Sequence, residues 1–66
     1  MKKPYFKLKA YLVENNIKQN EVAKYLDMNK STFSRKLNRK YGDFTIEEVR
    51  KICNRYNLDA NIYFLA

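Results

Sequence analysis

An amphipathic helix in the second half of the chain limits the possible folds more than any other feature. Thr45 and Glu48 have the spacing of a capping box, which starts a helix. Apolar residues then recur at i, i+3, i+4 and i+7, at Val49, Ile52, Cys53 and Tyr56. This spacing places them on one helical face that must pack against a core. The sequence therefore predicts an amphipathic helix that ends near Asn57, where Asn can take a left-handed stop.

Three further segments have the apolar spacing of helices. Pro4 suits a first helical turn, and Leu8, Tyr11 and Leu12 then follow up to Asn15 and Asn16. Residues 19–26 form a second, brief helix, with an apolar face of Val22, Ala23 and Leu26. A last short helix is predicted after the cap Asp59 and includes Ile62, Tyr63, Phe64 and Leu65.

The remaining helix follows Asp27, which occupies the turn. Asn29 is a good N-cap, and Met28 with Phe33 can form a hydrophobic staple around it. Phe33 and Leu37, one turn apart, are predicted to point inward. The other positions are polar and most must face away from that seam: Lys30, Ser31, Thr32, Ser34, Arg35 and Lys36.

Composition and charge set the class of protein. The 66 residues are 45% hydrophobic with a single Gly and a single Pro, which argues against disorder. No repeat or linker interrupts the helical pattern, so we expect one all-α domain over residues 1–66. The net charge is +7. Residues 29–40 carry five cations and residues 1–10 carry four, with no acid in either block. A polyanion, first of all nucleic acid, is the expected partner.

Several classes of function lack the residues that they need. There is no His and only one Cys, Cys53, which we interpret as a small hydrophobe on the buried helical face. Glu47 and Glu48 are adjacent on a helix and diverge by about 100°, so they cannot form a catalytic pair. No signal peptide or membrane span is visible. We expect a cytoplasmic protein that is not an enzyme and needs no metal, cofactor or small-molecule ligand.

Two short helices joined by a tight turn, the second presenting polar and cationic side chains, form a helix-turn-helix pattern. Residues 19–23, QNEVA, and 28–35, MNKSTFSR, resemble the Cro/C1 repressors of phages and bacteria, and the likeness spans roughly residues 8–58. The resemblance implies a compact, lambda-repressor-like five-helix bundle that binds operator DNA as a dimer. The sequence departs from the family at Asn16 and Asp27, where Gly is usual, and at Lys18, where Ser or Thr usually caps.

The resemblance also implies roles for individual residues. Gln19 matches the glutamine that contacts a phosphate and braces the recognition helix, and Asn29 would cap that helix beside the DNA backbone. The recognition surface would comprise Lys30, Ser31, Thr32, Ser34 and Arg35, with Lys30, Ser31 and Arg35 the best candidates for base edges. The sugar-phosphate rail would be lined by Lys36, Arg39, Lys40 and Tyr41. A homodimer would form through the C-terminal run Ile62, Tyr63, Phe64 and Leu65.

Other interpretations stay open. A basic run is often only a solvated helix face. An RNA- or single-strand-binding protein would use exposed aromatic residues, but the helical spacing of Tyr56, Tyr63 and Phe64 favours core or dimer packing. A protein-interaction module, such as an anti-repressor or antitoxin, could use the same scaffold to bind another protein.

Overall fold

The helical order follows the predicted pattern. A computed structural model describes residues 3–65, which form five helices and no strand. The helices are α1 (Phe6–Glu14), α2 (Gln19–Tyr25), α3 (Lys30–Leu37), α4 (Ile46–Tyr56) and α5 (Ala60–Tyr63). The predicted all-α, five-helix architecture is thereby confirmed. No helix in this part of the chain has the length and apolar character needed to cross a bilayer.

Side-chain caps begin three of the helices. Asn29 accepts a hydrogen bond from the Thr32 amide at 2.8 Å, and Asp59 accepts one from the Asn61 amide at 2.9 Å. The capping box of α4 is complete: Glu48 donates its amide to Thr45 at 3.1 Å, and Thr45 donates its amide to the Glu48 carboxylate at 2.9 Å. The three predicted caps are confirmed.

Residues with a left-handed backbone conformation lie in the turns that follow the helices. Asn16, Asp27 and Asn57 have φ values of 59°, 58° and 55°. Asn and Asp tolerate this conformation better than most residues with a side chain. Asp27 thus takes the backbone conformation for which Gly is usual, and the Met28 amide closes the turn onto the Ala23 carbonyl at 2.9 Å. Ala23 lies on α2 and is fully buried.

The start of α1 differs from the prediction that Pro4 lies in the first helical turn. The Phe6 amide donates to the Pro4 carbonyl at 2.9 Å, which makes a tight turn centred on Tyr5. The Tyr5 amide donates to the Leu37 carbonyl at the end of α3, at 3.0 Å. Because this contact holds Tyr5 outside helical geometry, α1 begins only at Phe6 and Pro4 precedes it.

The core is a single cluster that holds α3 in place. Its buried members are Leu8, Leu12, Val22, Ala23, Leu26, Phe33, Leu37, Ile52 and Phe64. Aromatic rings extend it: Phe44 lies 5.6 Å from Phe33 and 5.8 Å from Phe64 between ring centroids. Tyr11 packs edge-on against Tyr56 and Tyr63. Of the predicted core or dimer packing of Tyr56, Tyr63 and Phe64, the structure shows packing in or against the core.

The C-terminal run does not form one continuous outer surface. Phe64 is buried and Tyr63 is half-buried, so neither is available as a fully exposed contact. Ile62 lines a shallow cavity beside α1, whereas Leu65 lies beside Ile46 at the start of α4. The predicted dimer surface of four consecutive residues therefore reduces to two exposed side chains that lie in different surroundings.

Candidate nucleic-acid interface

The two faces of α3 have opposite character. Phe33 and Leu37 are 0% exposed and attach the helix to the core. Ser31 and Arg35 lie on the opposite side and are exposed. Lys30 is exposed in the first turn, and Thr32 and Ser34 are half-buried on the flanks. The bundle thus leaves a polar, cationic helical surface in contact with solvent.

Asn29 fixes the hydrogen-bonding character of Ser31. The Asn29 side-chain oxygen accepts the Thr32 amide and also the Ser31 hydroxyl, which donates at 3.0 Å. Because that hydroxyl proton is used, the outward lone pairs of Ser31 Oγ remain as acceptors. In the major groove the matching donors are the amino groups of adenine and cytosine.

Lys36 is tied to α4. Its ammonium lies 2.8 and 2.9 Å from the two carboxylate oxygens of Glu48. Burial alone would raise the pKa of Glu48, but the hydrogen bonds from Lys36 and from the Thr45 amide outweigh it and hold the pKa below its usual value. Lys36 therefore neutralises a carboxylate in this conformation.

Arg39 is the centre of a second internal cluster. It donates two hydrogen bonds to Asp43, at 3.2 and 3.0 Å, and its guanidinium lies 4.6 Å over the Tyr5 ring. The Tyr5 hydroxyl also donates to Asp43. Burial acts to raise the pKa of Asp43, but the bonds from Tyr5, the Phe44 amide and Arg39 together lower it. Burial of the Tyr5 hydroxyl, followed by the hydrogen bond to Asp43 and the charge of Asp43, raises the pKa of Tyr5 to about 12.

The loop after α3 presents the other two rail candidates. Lys40 is exposed, and its amide donates to the Arg35 carbonyl at 2.9 Å, which closes the end of α3. Tyr41 is 94% exposed. Arg39 and Tyr41 both have φ of 57°, so the chain turns sharply at each. Of the five cations in residues 29–40, Lys30, Arg35 and Lys40 form no ion pair within residues 3–65, whereas Lys36 and Arg39 do.

Gln19 is the first residue of α2 and is half-buried. Lys18 precedes it and provides no side-chain cap, so the departure from the usual Ser or Thr removes a cap from this helix. The DNA contacts assigned to Gln19, Asn29 and the α3 residues stay predictions. The structure places Lys30, Ser31 and Arg35 on the outside of the bundle, as those contacts require.

Lys9 is a residue near this surface that the sequence did not indicate. Its ammonium donates to the Asn38 side-chain oxygen at 2.8 Å, and the Asn38 amide nitrogen donates to the Ser34 carbonyl at 2.8 Å. Asn38 lies one turn after Ser34, which is a readable spacing. Nothing in the sequence pairs Lys9 with a residue 29 positions away.

The side chains that could suggest nucleophilic or metal chemistry are Cys53 and the acidic residues. Cys53 is half-buried, and burial, followed by the charge of Asp59, raises the pKa of its thiol. A thiol with a raised pKa is a weak nucleophile at neutral pH. No group of three or more Cys, Asp or Glu side chains in the described part of the chain is placed to hold a metal ion.

Comparison with known proteins gives one match. A family model described as the Cro/C1-type HTH DNA-binding domain matches residues 7–60, which run from the second residue of α1 to the first residue of α5. Neither the curated proteins nor the solved structures include a significant match to this chain.

Proposed function

The chain belongs to the Cro/C1-type helix-turn-helix DNA-binding domain family, and from this membership we propose that it is a transcriptional regulator of the Cro/C1 repressor type. It recognises a specific double-stranded operator by inserting α3 into the major groove, and so acts on polymerase in the cytoplasm. We assign this function to residues 1–66 as one DNA-binding domain, without a cofactor, small-molecule ligand or membrane contact. Such a role is one of binding rather than catalysis.

The solvent-exposed face of α3 is the observation that carries the proposal. An α-helix matches the major groove in width, and residues at its N-terminal end reach base edges in this class of domain. Arg35 can donate two hydrogen bonds to guanine O6 and N7, and Ser31 offers an acceptor. Lys30 extends from the first turn toward the same groove. These three residues are the proposed readers of sequence.

A second set of residues is proposed to hold the DNA backbone. Lys40 and Tyr41 are exposed at the end of α3, while Gln19 and Asn29 lie at the starts of the two helices of the motif. Thr32 and Ser34 contribute hydroxyls on the flanks of α3. Lys36 and Arg39 belong to this rail through their positions, but their ion pairs with Glu48 and Asp43 reduce the charge that they offer to phosphate.

Dimer formation on DNA is proposed to use the groove between α4 and Leu65. Ile46 and Leu65 are 73% and 74% exposed there, over a floor that includes Val49 and Phe64 in a cavity of about 540 Å³. Burying such apolar surface against a second copy is favourable. Two α3 helices on one face of the duplex would lie about 34 Å apart.

Selection of bound duplexes from a random pool tests the function directly, because the enriched site reports sequence, symmetry and half-site spacing together. Arg35→Ala should cost about 1 to 3 kcal/mol and relax the preference at one base pair. Lys40→Ala should weaken binding to all sequences alike and lower the salt slope by about one. Failure to enrich any site, or equal losses for both variants on selected and random duplexes, would contradict the proposal.

A protein-interaction module is the second candidate, and the groove at Ile46 and Leu65 favours it. Its mark is binding to a protein partner that survives high salt, since phosphate contacts would not hold that complex.

Competition between duplex DNA and structured RNA separates the proposed function from RNA binding. Stronger binding to RNA would replace the major-groove mechanism.

A further inference from the structure

Helix α1 carries a second apolar stripe on the side away from the core. Phe6, Ala10 and Val13 are all exposed, Phe6 at 61% and Val13 at 79%. At 3.6 residues per turn these three positions fall within an arc of about 60°, roughly opposite the buried Leu8 and Leu12. Apolar side chains aligned on one exposed face mark a contact surface more often than scattered ones do.

The flanks of this stripe carry charges. Lys7 and Glu14 lie on the same side, seven residues apart, and neither forms an ion pair within residues 3–65. They border a shallow cavity that also includes Ile62. On the other flank, Lys9 is bonded to Asn38 of the α3 end, so that side faces the domain itself.

The stripe is self-complementary when two α1 helices run antiparallel with Ala10 on the two-fold axis. Phe6 precedes Ala10 by four residues and Val13 follows it by three, so Phe6 meets the partner's Val13 with an offset of about 1.5 Å along the axis. Lys7 meets the partner's Glu14 with the same offset of about 1.5 Å and on the same side of the interface. A small residue at the crossing point allows the helices to approach closely.

From this arrangement we infer that α1 mediates self-association with a second copy of the chain, through an antiparallel, two-fold contact centred on Ala10. Three side chains per copy bury far less than the roughly 800 Å² per partner of a stable interface, so the contact is weak in free solution. Where the proposed function brings copies to neighbouring DNA sites, a high effective concentration compensates for that weakness. The contact is separate from the groove at Ile46 and Leu65.

Symmetric cross-linking of free protein tests the inference without DNA. In a Cys53→Ala background, Ala10→Cys places two thiols on the two-fold axis, within the distance that a disulfide requires. Asn20→Cys, an exposed position on α2, is the matched control. After correction for the reaction of each thiol with a small disulfide reagent, we expect the position-10 variant to dimerise roughly tenfold faster than the control. Equal rates would overturn the inference.

Charge reversal gives a second, independent outcome. Lys7→Glu in the Ala10→Cys background lowers the net charge from +7 to +5, so general repulsion would predict faster dimerisation. The proposed contact predicts the opposite, a slowing of roughly tenfold, because two ion pairs become repulsive. Adding Glu14→Lys should restore the rate. A failure of the double variant to recover, with circular dichroism showing an intact helical fold, would exclude the antiparallel arrangement, whether or not the protein binds DNA.

Discussion

The backbone at Tyr41 is left-handed, with φ of 57°, and its side chain is 94% exposed. A residue other than Gly in this conformation costs about 1 to 2 kcal/mol. Within residues 3–65 the ring has no hydrogen-bond, cation–π or aromatic partner that would compensate for this cost. Strain that persists at an exposed position points to a use outside the folded monomer, and the proposed contact with the sugar-phosphate backbone is such a use.

Replacing Tyr41 with Gly separates that strain from the role of the ring. Tyr41→Gly should raise the free energy of unfolding by about 0.5 to 1 kcal/mol, since relief of strain exceeds the added flexibility of the unfolded chain. Tyr41→Ala keeps the strain and removes the ring, so its stability should stay near that of the wild type. Both variants should lose DNA affinity equally. Urea titrations and duplex binding measure the two effects, and unchanged affinity would remove Tyr41 from the interface.

The Tyr5 hydroxyl links pH to stability at the alkaline end. Its pKa is raised to about 12, above the ordinary value of 10.0, first by burial and then by Asp43. A group whose pKa is higher in the folded state contributes stability below the unfolded pKa and loses it as pH rises through the folded one. Tyr5→Phe should therefore be less stable than wild type by about 1 kcal/mol at pH 8, and the difference should shrink between about pH 10 and 12.

Urea unfolding of the two proteins at a series of pH values measures this difference directly. Lysine deprotonation affects both proteins alike and cancels in the comparison. Tyr41→Phe is the matched control, because that hydroxyl is at an exposed position and donates to no group within residues 3–65. A gap between wild type and Tyr5→Phe that stays constant up to pH 12 would show that the hydroxyl bond to Asp43 does not form as described.

Between elements, the ion pair of Lys36 and Glu48 joins α3 to α4. Glu48 also completes the capping box, so the same carboxylate caps the start of α4 and binds Lys36 on α3. Its folded pKa is lowered, and it therefore stabilises the fold above its ordinary pKa of about 4.3. That contribution is lost as pH falls through the lower, folded value.

Glu48→Gln tests the ion pair with Lys36, because an amide oxygen can still accept the cap hydrogen bond while the negative charge is removed. The variant should be about 1 kcal/mol less stable at pH 7 and should match wild type once the pH is low enough to protonate the folded carboxyl. Glu47→Gln, at the neighbouring exposed position, should change stability much less. Thermal unfolding from pH 7 down to pH 2 records both, and equal effects of the two substitutions would contradict the ion pair.

Local signals in the sequence predicted the helix starts well. Asn29, Thr45 and Asp59 bind amides two or three residues away, so the information lies within a few positions. Asn16 and Asn57 end helices for the same local reason. The cores of α3 and α4 could also be predicted, because Phe33 and Leu37, or Val49 and Ile52, are placed by helical spacing alone.

Contacts between distant positions could not be predicted in this way. Tyr5 bonds to Asp43 across 38 positions, and Lys36 bonds to Glu48 across 12. From the sequence, Lys36 and Arg39 are two more cations in an acid-free run. Only the folded chain brings Glu48 beside Lys36, whereas the partner of Arg39, Asp43, lies just four positions further along the sequence. The early start predicted for α1 was wrong for the same reason, since the Tyr5 amide is engaged by Leu37, which is far along the chain.

At the scale of the whole molecule, 66 residues provide a total stability of only about 3 to 10 kcal/mol. Phe33 is completely buried, and truncating such a residue costs about 3 to 5 kcal/mol. The burial of Phe33 on α3 therefore accounts for a large part of the stability of the bundle. Within residues 29–40, Lys36 and Arg39 pair with acids, whereas Lys30, Arg35 and Lys40 are exposed, so the excess positive charge of this segment faces solvent.

The proposed dimer on DNA can be separated from DNA binding itself by Ile46→Lys. Ile46 is 73% exposed in the groove with Leu65, so the substitution should leave the monomer folded while a charge replaces the apolar contact. Affinity for a duplex with two half-sites should fall by roughly tenfold relative to affinity for a single half-site, because the second copy is no longer held by the first. Asn54→Lys adds the same charge to α4 at an exposed position outside the groove and should leave that ratio unchanged. If Ile46→Lys and Asn54→Lys give the same ratio, this groove is not the contact between the two copies on DNA.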